Sequence, residues 1–147
     1  MNSFTYVHMN IVIHEMSPLL REWSKLNPGN DRIARDRPGI GIFENEIIVL
    51  GGSNPDNPDN EPTKLVESFS FETNQWTVWS SQLNIAREGP GVIQVEDQLY
   101  VIGGRGSDVN GSVEVWHSKD SIWRLVPELN VKHFDQEYVV SILQSQC

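Results

Sequence analysis

Short apolar runs separated by glycine, proline and polar residues dominate the chain. The clearest are Ile47–Leu50 and Leu99–Ile102, and each is followed by two glycines. Runs of this length, bounded by turn-forming residues, are typical of buried strands rather than helices. The stretches between them are rich in Asp, Asn, Ser and Pro, which favour turns. The pattern therefore predicts an all-β fold built from short strands.

The sequence repeats itself at intervals of about fifty residues. Residues 33–52 read IARDRPGIGIFENEIIVLGG, and residues 85–104 read IAREGPGVIQVEDQLYVIGG. A second block, VESFSFETNQW at 66–76, matches VEVWHSKDSIW at 113–123, and a weaker copy, IHEMSPLLREW, stands at 13–23. A repeat of this length is typical of folds in which neighbouring units cover each other's hydrophobic faces.

Each repeat reads as four short strands. In the second unit we expect them at Pro90–Glu96, Leu99–Gly104, Val113–Trp116 and Trp123–Val126. The second strand is apolar throughout, so it is expected to be buried on both faces.

These units resemble kelch repeats, the four-stranded blades of a β-propeller. The family pattern has an arginine before the first strand, two glycines after the second, an aromatic residue in the third and a tryptophan opening the fourth. The matching positions are Arg35, Arg87, Gly51, Gly52, Gly103, Gly104, Phe69, Trp116, Trp76 and Trp123, with Trp23 in the weaker copy. The resemblance covers residues 13–126 and is nearest to the kelch-like (BTB-kelch) proteins. It implies a segment of a kelch-type propeller.

Two complete blades are predicted, at residues 33–84 and 85–127. Residues 1–32 are expected to end a preceding blade, and Phe4–Val7 is expected to add a strand to it. Residues 128–147 are expected to start a further, degenerate blade.

Closed propellers typically have about 4–8 blades, so the predicted blades are too few for one ring. Three explanations stay open. The chain is part of a longer kelch-like protein, or it is a non-functional truncated remnant. Alternatively, two copies close a single six-bladed ring, with a last strand near Gln136–Leu143 donated to the other copy.

Charge and composition narrow the function classes. The chain has 20 acidic and 11 basic residues and a net charge of −9, so it lacks the basic surface typical of nucleic-acid binding. No apolar stretch approaches the about 20 residues of a membrane span, and no signal peptide is recognisable. The chain is therefore expected to be cytoplasmic and to bind neither nucleic acid nor membrane.

Candidate chemistry is sparse. Cys147 is the single cysteine, which excludes an intrachain disulfide. The four histidines lack metal-ligand spacing, and no internal cysteine is present for a galactose-oxidase-like copper site. We therefore expect no metal, no cofactor and no enzymatic activity.

The resemblance implies a protein-interaction module that binds a partner through its loops. Kelch-like propellers recruit substrates to cullin-RING ubiquitin ligases when a BTB domain is present in the same protein, and other kelch proteins bind actin.

The candidate partner-binding residues are Arg35, Arg87, Arg37, Arg105, Ser53, Asn54 and Asp108. By resemblance Arg35 and Arg87 lead, because partner-contacting arginines of the family tend to precede the first strand. A guanidinium group offers a planar fork to a carboxylate, so the partner is expected to be an acidic protein or peptide. The alternative is local pairing, of Arg35 with Asp36 or Glu44. Arg87 would pair with Glu88 in the same way.

The longest loop is Ser53–Lys64, which reads SNPDNPDNEPTK. It is interpreted as a solvated loop, a partner-selecting loop or a calcium loop. Its prolines and the absence of a downstream bidentate glutamate argue against an EF-hand type. The shorter loop Arg105–Ser112 takes the same place in the second blade.

Overall fold

The strands account for all of the regular structure in the part of the chain that the structure describes. This computed structural model describes residues 4–7, 13–17, 22–25, 33, 35–55, 59–109 and 111–127. The strands are β1 (Phe4–Val7), β2 (Ile13–Ser17), β3 (Glu22–Lys25), β4 (Gly39–Phe43), β5 (Glu46–Leu50), β6 (Val66–Ser70), β7 (Gln75–Val78), β8 (Gly91–Val95), β9 (Gln98–Ile102), β10 (Val113–His117) and β11 (Ile122–Val126). The predicted all-β class is confirmed.

The strands form three antiparallel sheets in simple up-and-down order. One sheet contains β1, β2 and β3, and the other two contain four strands each. We call β4–β7 the first blade and β8–β11 the second blade. The four strands predicted for the second unit agree with β8–β11 within two residues at each end. The strand predicted at Phe4–Val7 is β1, whereas the strand predicted near Gln136–Leu143 lies outside the described residues.

A tight hairpin joins the first two strands of each blade. Between β4 and β5 the chain reverses at Glu44 and Asn45, whose φ angles are 49° and 65°. Two successive positive φ angles are the pattern of the type I′ turn, whose twist matches that of the flanking strands. Glu96, at φ 55°, begins the equivalent turn between β8 and β9.

The two blades pack on each other along β4 and β8. Their facing side chains form one buried cluster, which contains Phe43, Ile48, Leu50, Val66 and Leu83 from the first repeat and its linker, and Leu99, Val101, Trp116 and Trp123 from the second blade. Trp79 packs at the margin of this cluster. We call this contact the seam. Burial of apolar surface here is the main force that holds the blades together.

The opposite face of the first blade carries a smaller cluster. Ile47, Val49 and Phe69 are buried there, and Trp76 packs against them. The rings of Phe69 and Trp76 lie 5.3 Å apart between centroids. The two motif aromatic residues of the first blade therefore pack against each other.

Strand β9 departs from the expectation that it is buried on both faces. Leu99 and Val101 are buried at the seam, but Tyr100 and Ile102 are only partly buried. Their counterparts in the first blade, Ile48 and Leu50, are fully buried because the second blade covers them. Within the described residues no further blade covers the outer face of the second blade.

Candidate functional site

The two leading arginines lie inside the blades. Arg35 is 3% exposed and Arg87 is 0% exposed. Each crosses its own blade to a glutamate of the third strand: Arg35 pairs with Glu67, and the Arg87 Nη2 atom lies 2.7 Å from Oε1 of Glu114. These partners differ from the neighbouring residues that the local-pairing alternative named.

Backbone carbonyls share the same guanidinium groups. Nη1 of Arg87 donates to the carbonyl oxygens of Gly103 at 2.8 Å and of Ser112 at 3.2 Å. Nη1 of Arg35 likewise donates to the carbonyl oxygens of Gly51 and Leu65, both at 2.9 Å. A guanidinium enclosed in this way presents no surface to a partner. The contact role predicted for Arg35 and Arg87 stays untested, but their burial argues against it.

The glutamates of these pairs also organise the linker between the blades. Glu114 accepts hydrogen bonds from the backbone N–H of Asn84 at 2.6 Å and of Ile85 at 3.1 Å. It also accepts one from the Asn84 side-chain amide at 2.9 Å. The ion pair therefore fixes the stretch of chain that leads into β8.

The glycine pairs let the linker approach the first blade closely. Gly51 has a φ of 61°, and a Cβ atom there would lie 2.3 Å from the carbonyl oxygen of Arg87. The N–H of Gly52 donates to that same carbonyl oxygen at 2.8 Å. Gly52 has a φ of 85° as well, so this pair combines a positive φ with a close backbone approach, both of which glycine tolerates best.

Glu88 lies between the two blades, beside the loops that follow β5 and β9. Its side chain is 3% exposed, and its Oε1 accepts a hydrogen bond from the Ser53 hydroxyl at 2.9 Å. Nη2 of Arg37 lies 2.6 Å from Oε1, and Nη1 of Arg105 lies 3.9 Å from Oε2. Arg37 and Ser53 belong to the first repeat and Arg105 to the second, so Glu88 joins the two repeats electrostatically.

A cavity of about 440 Å³ opens beside Glu88. Residues 59–62 of the first long loop form one wall, and residues 104–107 with Val109 form the other. We call it the inter-blade cleft. The described charged residues that line it are Asp59, Glu61, Glu88 and Arg105.

The arginines beside the cleft remain accessible. The side chain of Arg37 is 41% exposed and that of Arg105 is 57% exposed. Both guanidinium groups are therefore partly exposed to solvent near the cleft, unlike those of Arg35 and Arg87. Of the predicted site residues, these two have the placement that a contact role requires.

The other three predicted site residues do not lie together. Ser53 is fully buried, and its hydroxyl group donates a hydrogen bond to Glu88. Asn54 and Asp108 are exposed but do not line the cleft, and Asp108 accepts a hydrogen bond from the Ser107 hydroxyl at 3.2 Å. The structure therefore gathers Arg37, Arg105 and Ser53 around Glu88 and leaves Asn54 and Asp108 aside.

Sequence reasoning considered Glu88 only as a local partner of Arg87. The available signal was the register of the repeats, which aligns Glu88 with Asp36 and Gly89 with Arg37. Gly89 has a φ of 60° and Arg37 a φ of 45°. A long side chain thus occupies a left-handed position that the second repeat gives to glycine. Strained residues of this kind concentrate at functional surfaces.

Metal-ligand clusters and membrane-spanning helices are both absent from the described residues. Within the described ranges, no three side chains of the His, Cys, Asp and Glu types are grouped so as to share a metal ion. Residues 56–58 of the loop considered for calcium lie outside those ranges. The same part of the chain contains no helix of the length and apolarity that a bilayer crossing demands.

The two repeats of this chain match a known protein family. The family described as "Kelch motif" matches residues 34–80 and 86–130, which is more than half of the chain.

Curated relatives carry the same motif in their names. "Kelch repeat and BTB domain-containing protein 1" of Cowpox virus (strain Brighton Red) is 32% identical over 84 residues. "Kelch-like protein 22" of Rattus norvegicus is 27% identical over 95 residues. The alignments cover 57% and 63% of this chain, but only 15% of each relative. The chain thus spans a small part of the length of these relatives.

A solved structure shares the fold. The structure titled "Structure of YjhT" superposes with a TM-score of 0.67 at 14% identity. The match covers 81% of this chain and 45% of the other one. At this identity the similarity shows the fold alone, and it agrees with the predicted propeller segment.

Proposed function

We propose that this chain, which belongs to the kelch-repeat family, is a non-enzymatic interaction module that binds a segment of a partner protein in the inter-blade cleft. The observation that carries the proposal is the cleft itself. It lies between the loops that follow β5 and β9, and exposed cations stand beside a buried carboxylate there. Loops placed by a rigid scaffold are common sites of recognition.

The charges of the cleft indicate what the partner segment presents. Arg105 offers a guanidinium fork to a carboxylate, which supports the expected acidic residue in the partner. Asp59 and Glu61 on the facing wall favour a basic or hydrogen-bond-donating residue. The partner segment is therefore proposed to carry both, with an acidic side chain directed to Arg105.

Arg37 has a second role in this proposal. Its guanidinium group pairs with Glu88, although its left-handed backbone conformation is one that glycine adopts more easily. We propose that the exposed part of the Arg37 side chain contacts the partner.

Site-specific photo-crosslinking tests the proposal. A benzoylphenylalanine placed at Ser107, on the cleft wall, is expected to capture one partner protein from cells that express the chain. The same group at Glu72, in the exposed turn between β6 and β7, is the matched position outside the cleft. Equal capture of the same proteins from both positions would reject the cleft as the binding site.

Arginine variants then locate the contact. Arg105→Ala is expected to weaken binding of the captured partner by about tenfold, since arginine is a frequent hot-spot residue. Arg124→Ala removes an equally accessible arginine outside the cleft and is expected to leave binding unchanged. If both variants bind alike, the assignment to Arg105 fails.

Two finer roles follow from the resemblance. Because relatives are named as BTB domain-containing proteins, we propose substrate recognition for a cullin-RING ubiquitin ligase within a longer parent protein. Actin binding is the other role known for kelch proteins, and co-sedimentation with filamentous actin separates the two.

We also propose that two copies associate through the outer face of the second blade, which no described blade covers. The partly buried side chains of Tyr100 and Ile102 on the second blade support this proposal. A chain that covers 45% of the solved propeller is also of the size that a pair would need to complete one ring.

A further inference from the structure

We propose that the seam contains a second binding site, which takes a cationic side chain with apolar character, namely an arginine or a methylated lysine of a partner protein. The site is a cavity of about 210 Å³ at the margin of the seam, separate from the inter-blade cleft. It goes beyond the function proposed above, because none of its residues lines that cleft.

Aromatic residues from both blades form its apolar lining. Phe43 comes from the end of β4, Trp79 from the residue after β7, and Trp116 from β10. The rings of Trp79 and Trp116 lie 4.7 Å apart between centroids and are tilted by 48°. Trp79 is only partly buried, so part of its indole remains accessible at the cavity. Indole rings are the strongest partners for cations among aromatic side chains.

Carboxylates complete the lining. Glu44 and Glu46 belong to the turn between β4 and β5 and to the start of β5, and both line the cavity. No Lys, Arg or His of the described part of the chain lines it. Among those residues, neither carboxylate takes part in an ion pair or a side-chain hydrogen bond. A ligand cation would therefore meet two carboxylates that no described cation neutralises.

The dimensions suit one side chain. Pockets for small molecules usually have volumes of about 300–1,000 Å³, and this cavity is smaller. Arginine and methylated lysine each combine an apolar stem with a weakly hydrated cation, so they gain from aromatic walls and from carboxylates together. A small, strongly hydrated cation such as sodium gains little from the aromatic walls.

The set is specific to this seam. In the register of the repeats, Phe43 corresponds to Val95 and Glu46 to Gln98. The second block, in which Trp76 aligns with Trp123, places Val126 where the first repeat has Trp79. The second blade therefore lacks the residues that would build the same site, so they are not a general requirement of the blade.

The neighbouring cavity of about 300 Å³ is of another kind. It is lined by Trp116 and His117 but also by Lys119 and Arg124. Its internal cations would compete with a ligand cation, so it is not proposed as a cation site.

Nuclear magnetic resonance of the full chain tests the proposal, because each tryptophan indole N–H gives its own signal. The probes are N-acetyl-arginine amide and N-acetyl-trimethyllysine amide, with N-acetyl-glutamine amide as the neutral control. We expect saturable shifts of the Trp79 and Trp116 indole signals at millimolar concentrations of the two cationic probes. The Trp76 indole, which packs on the other face of the first blade, is expected to stay unchanged.

Charge variants show whether the carboxylates act. The double variant Glu44→Gln with Glu46→Gln is expected to weaken probe binding about fivefold or more. Glu96→Gln, at the same turn position of the second blade, is the matched control and is expected to bind as the parent chain does. Glu44 and Glu96 are exposed turn residues, and Glu46 is partly exposed at the start of β5. The dispersion of the amide spectrum verifies that each variant keeps the fold.

Three outcomes would overturn the proposal. One is the absence of saturable shifts at both indoles. Another is an equal response to the neutral probe, which would indicate simple apolar contact. The third is an equal weakening by Glu96→Gln, which would indicate attraction to the net charge of the chain rather than to this site.

Discussion

Each blade encloses one arginine whose charge is balanced inside the blade. Taking a guanidinium and a carboxylate out of water offsets much of their attraction, so such a pair does not by itself stabilise a protein strongly. In the second blade, however, Glu114 also binds the linker at Asn84 and Ile85, while Arg87 binds the carbonyls of Gly103 and Ser112. The pair therefore determines where the loops beside the cleft begin.

Removal of the buried charge should show this dependence. Arg87→Met is expected to lower the free energy of unfolding by about 3–5 kcal/mol, because the buried carboxylate of Glu114 loses its balancing charge and two buried carbonyl groups lose a donor. Urea denaturation followed by circular dichroism measures the change. Arg105→Met, at an exposed arginine, is expected to change it by less than about 1 kcal/mol. An unchanged unfolding curve for Arg87→Met would contradict the structural role of Arg87 and would favour a role in partner binding instead.

Residue roles were predictable where their cause is local. A double glycine that needs positive φ, or a tryptophan that must pack, shows in its own repeat. The partner of Arg87 stands 27 positions away on β10, and the partner of Arg35 stands 32 positions away on β6. These pairs exist only because four strands fold into one sheet. Glu88 was missed for the same reason, since Arg37 and Ser53 reach it from the preceding repeat.

At the scale of elements, the seam depends on how closely β4 approaches β8. Two glycines of β4 leave room for the neighbouring strand. A Cβ atom at Gly41 would lie 2.5 Å from Cγ1 of Val92, and one at Gly39 would lie 2.7 Å from Cγ of Pro90. The second blade has Ile93 at the position of Gly41. The close approach at Gly41 is therefore specific to this seam, whereas Gly39 has a glycine counterpart in Gly91.

A double-mutant cycle tests this contact. Gly41→Val is expected to lower the free energy of unfolding by about 1–3 kcal/mol, because the added side chain overpacks against β8. With Val92→Ala in the same chain, part of the loss should return, with a coupling of about 1 kcal/mol. Chemical denaturation of the four chains measures it. Ile42→Val, at an exposed neighbour on β4, is the control, and purely additive effects of the two changes would rule out the direct contact.

Strands were easier to predict than their surroundings. Alternating and continuous apolar runs placed β8–β11 well, because side-chain direction alternates along any strand. Whether a face is covered depends on the next sheet. The pattern of β9 therefore could not show that Tyr100 and Ile102 are covered less than Leu99 and Val101.

At the scale of the whole molecule, the outer face of the second blade raises the question of what completes the ring. No described blade covers this face, and its Tyr100 and Ile102 keep part of their apolar surface accessible. Accessible apolar surface on a sheet face favours association. The described part of the chain contains eleven strands, and the predicted twelfth lies outside it. Repeat counting could predict that blades are too few for closure, but not which molecule supplies the others.

Light scattering on the purified chain distinguishes the possibilities. A self-closing pair is expected to have twice the chain mass of 16.7 kDa and a β-rich circular dichroism spectrum. Ile102→Glu, on the uncovered face, should then return the mass to that of one chain. Ile42→Glu, at an exposed position on β4, should leave the pair intact. A folded monomer, or a pair that survives Ile102→Glu, would reject association through this face and favour a longer parent.

Three indoles cross the seam, and their spacing gives it an optical signature. The centroids of Trp79, Trp116 and Trp123 are 4.7 to 6.3 Å apart, close enough for their excited states to couple. Trp79 belongs to the first repeat and the other two to the second blade. Any event that parts the blades would therefore decouple the transitions. Exciton bands in the ultraviolet would follow the opening of the seam without any attached dye.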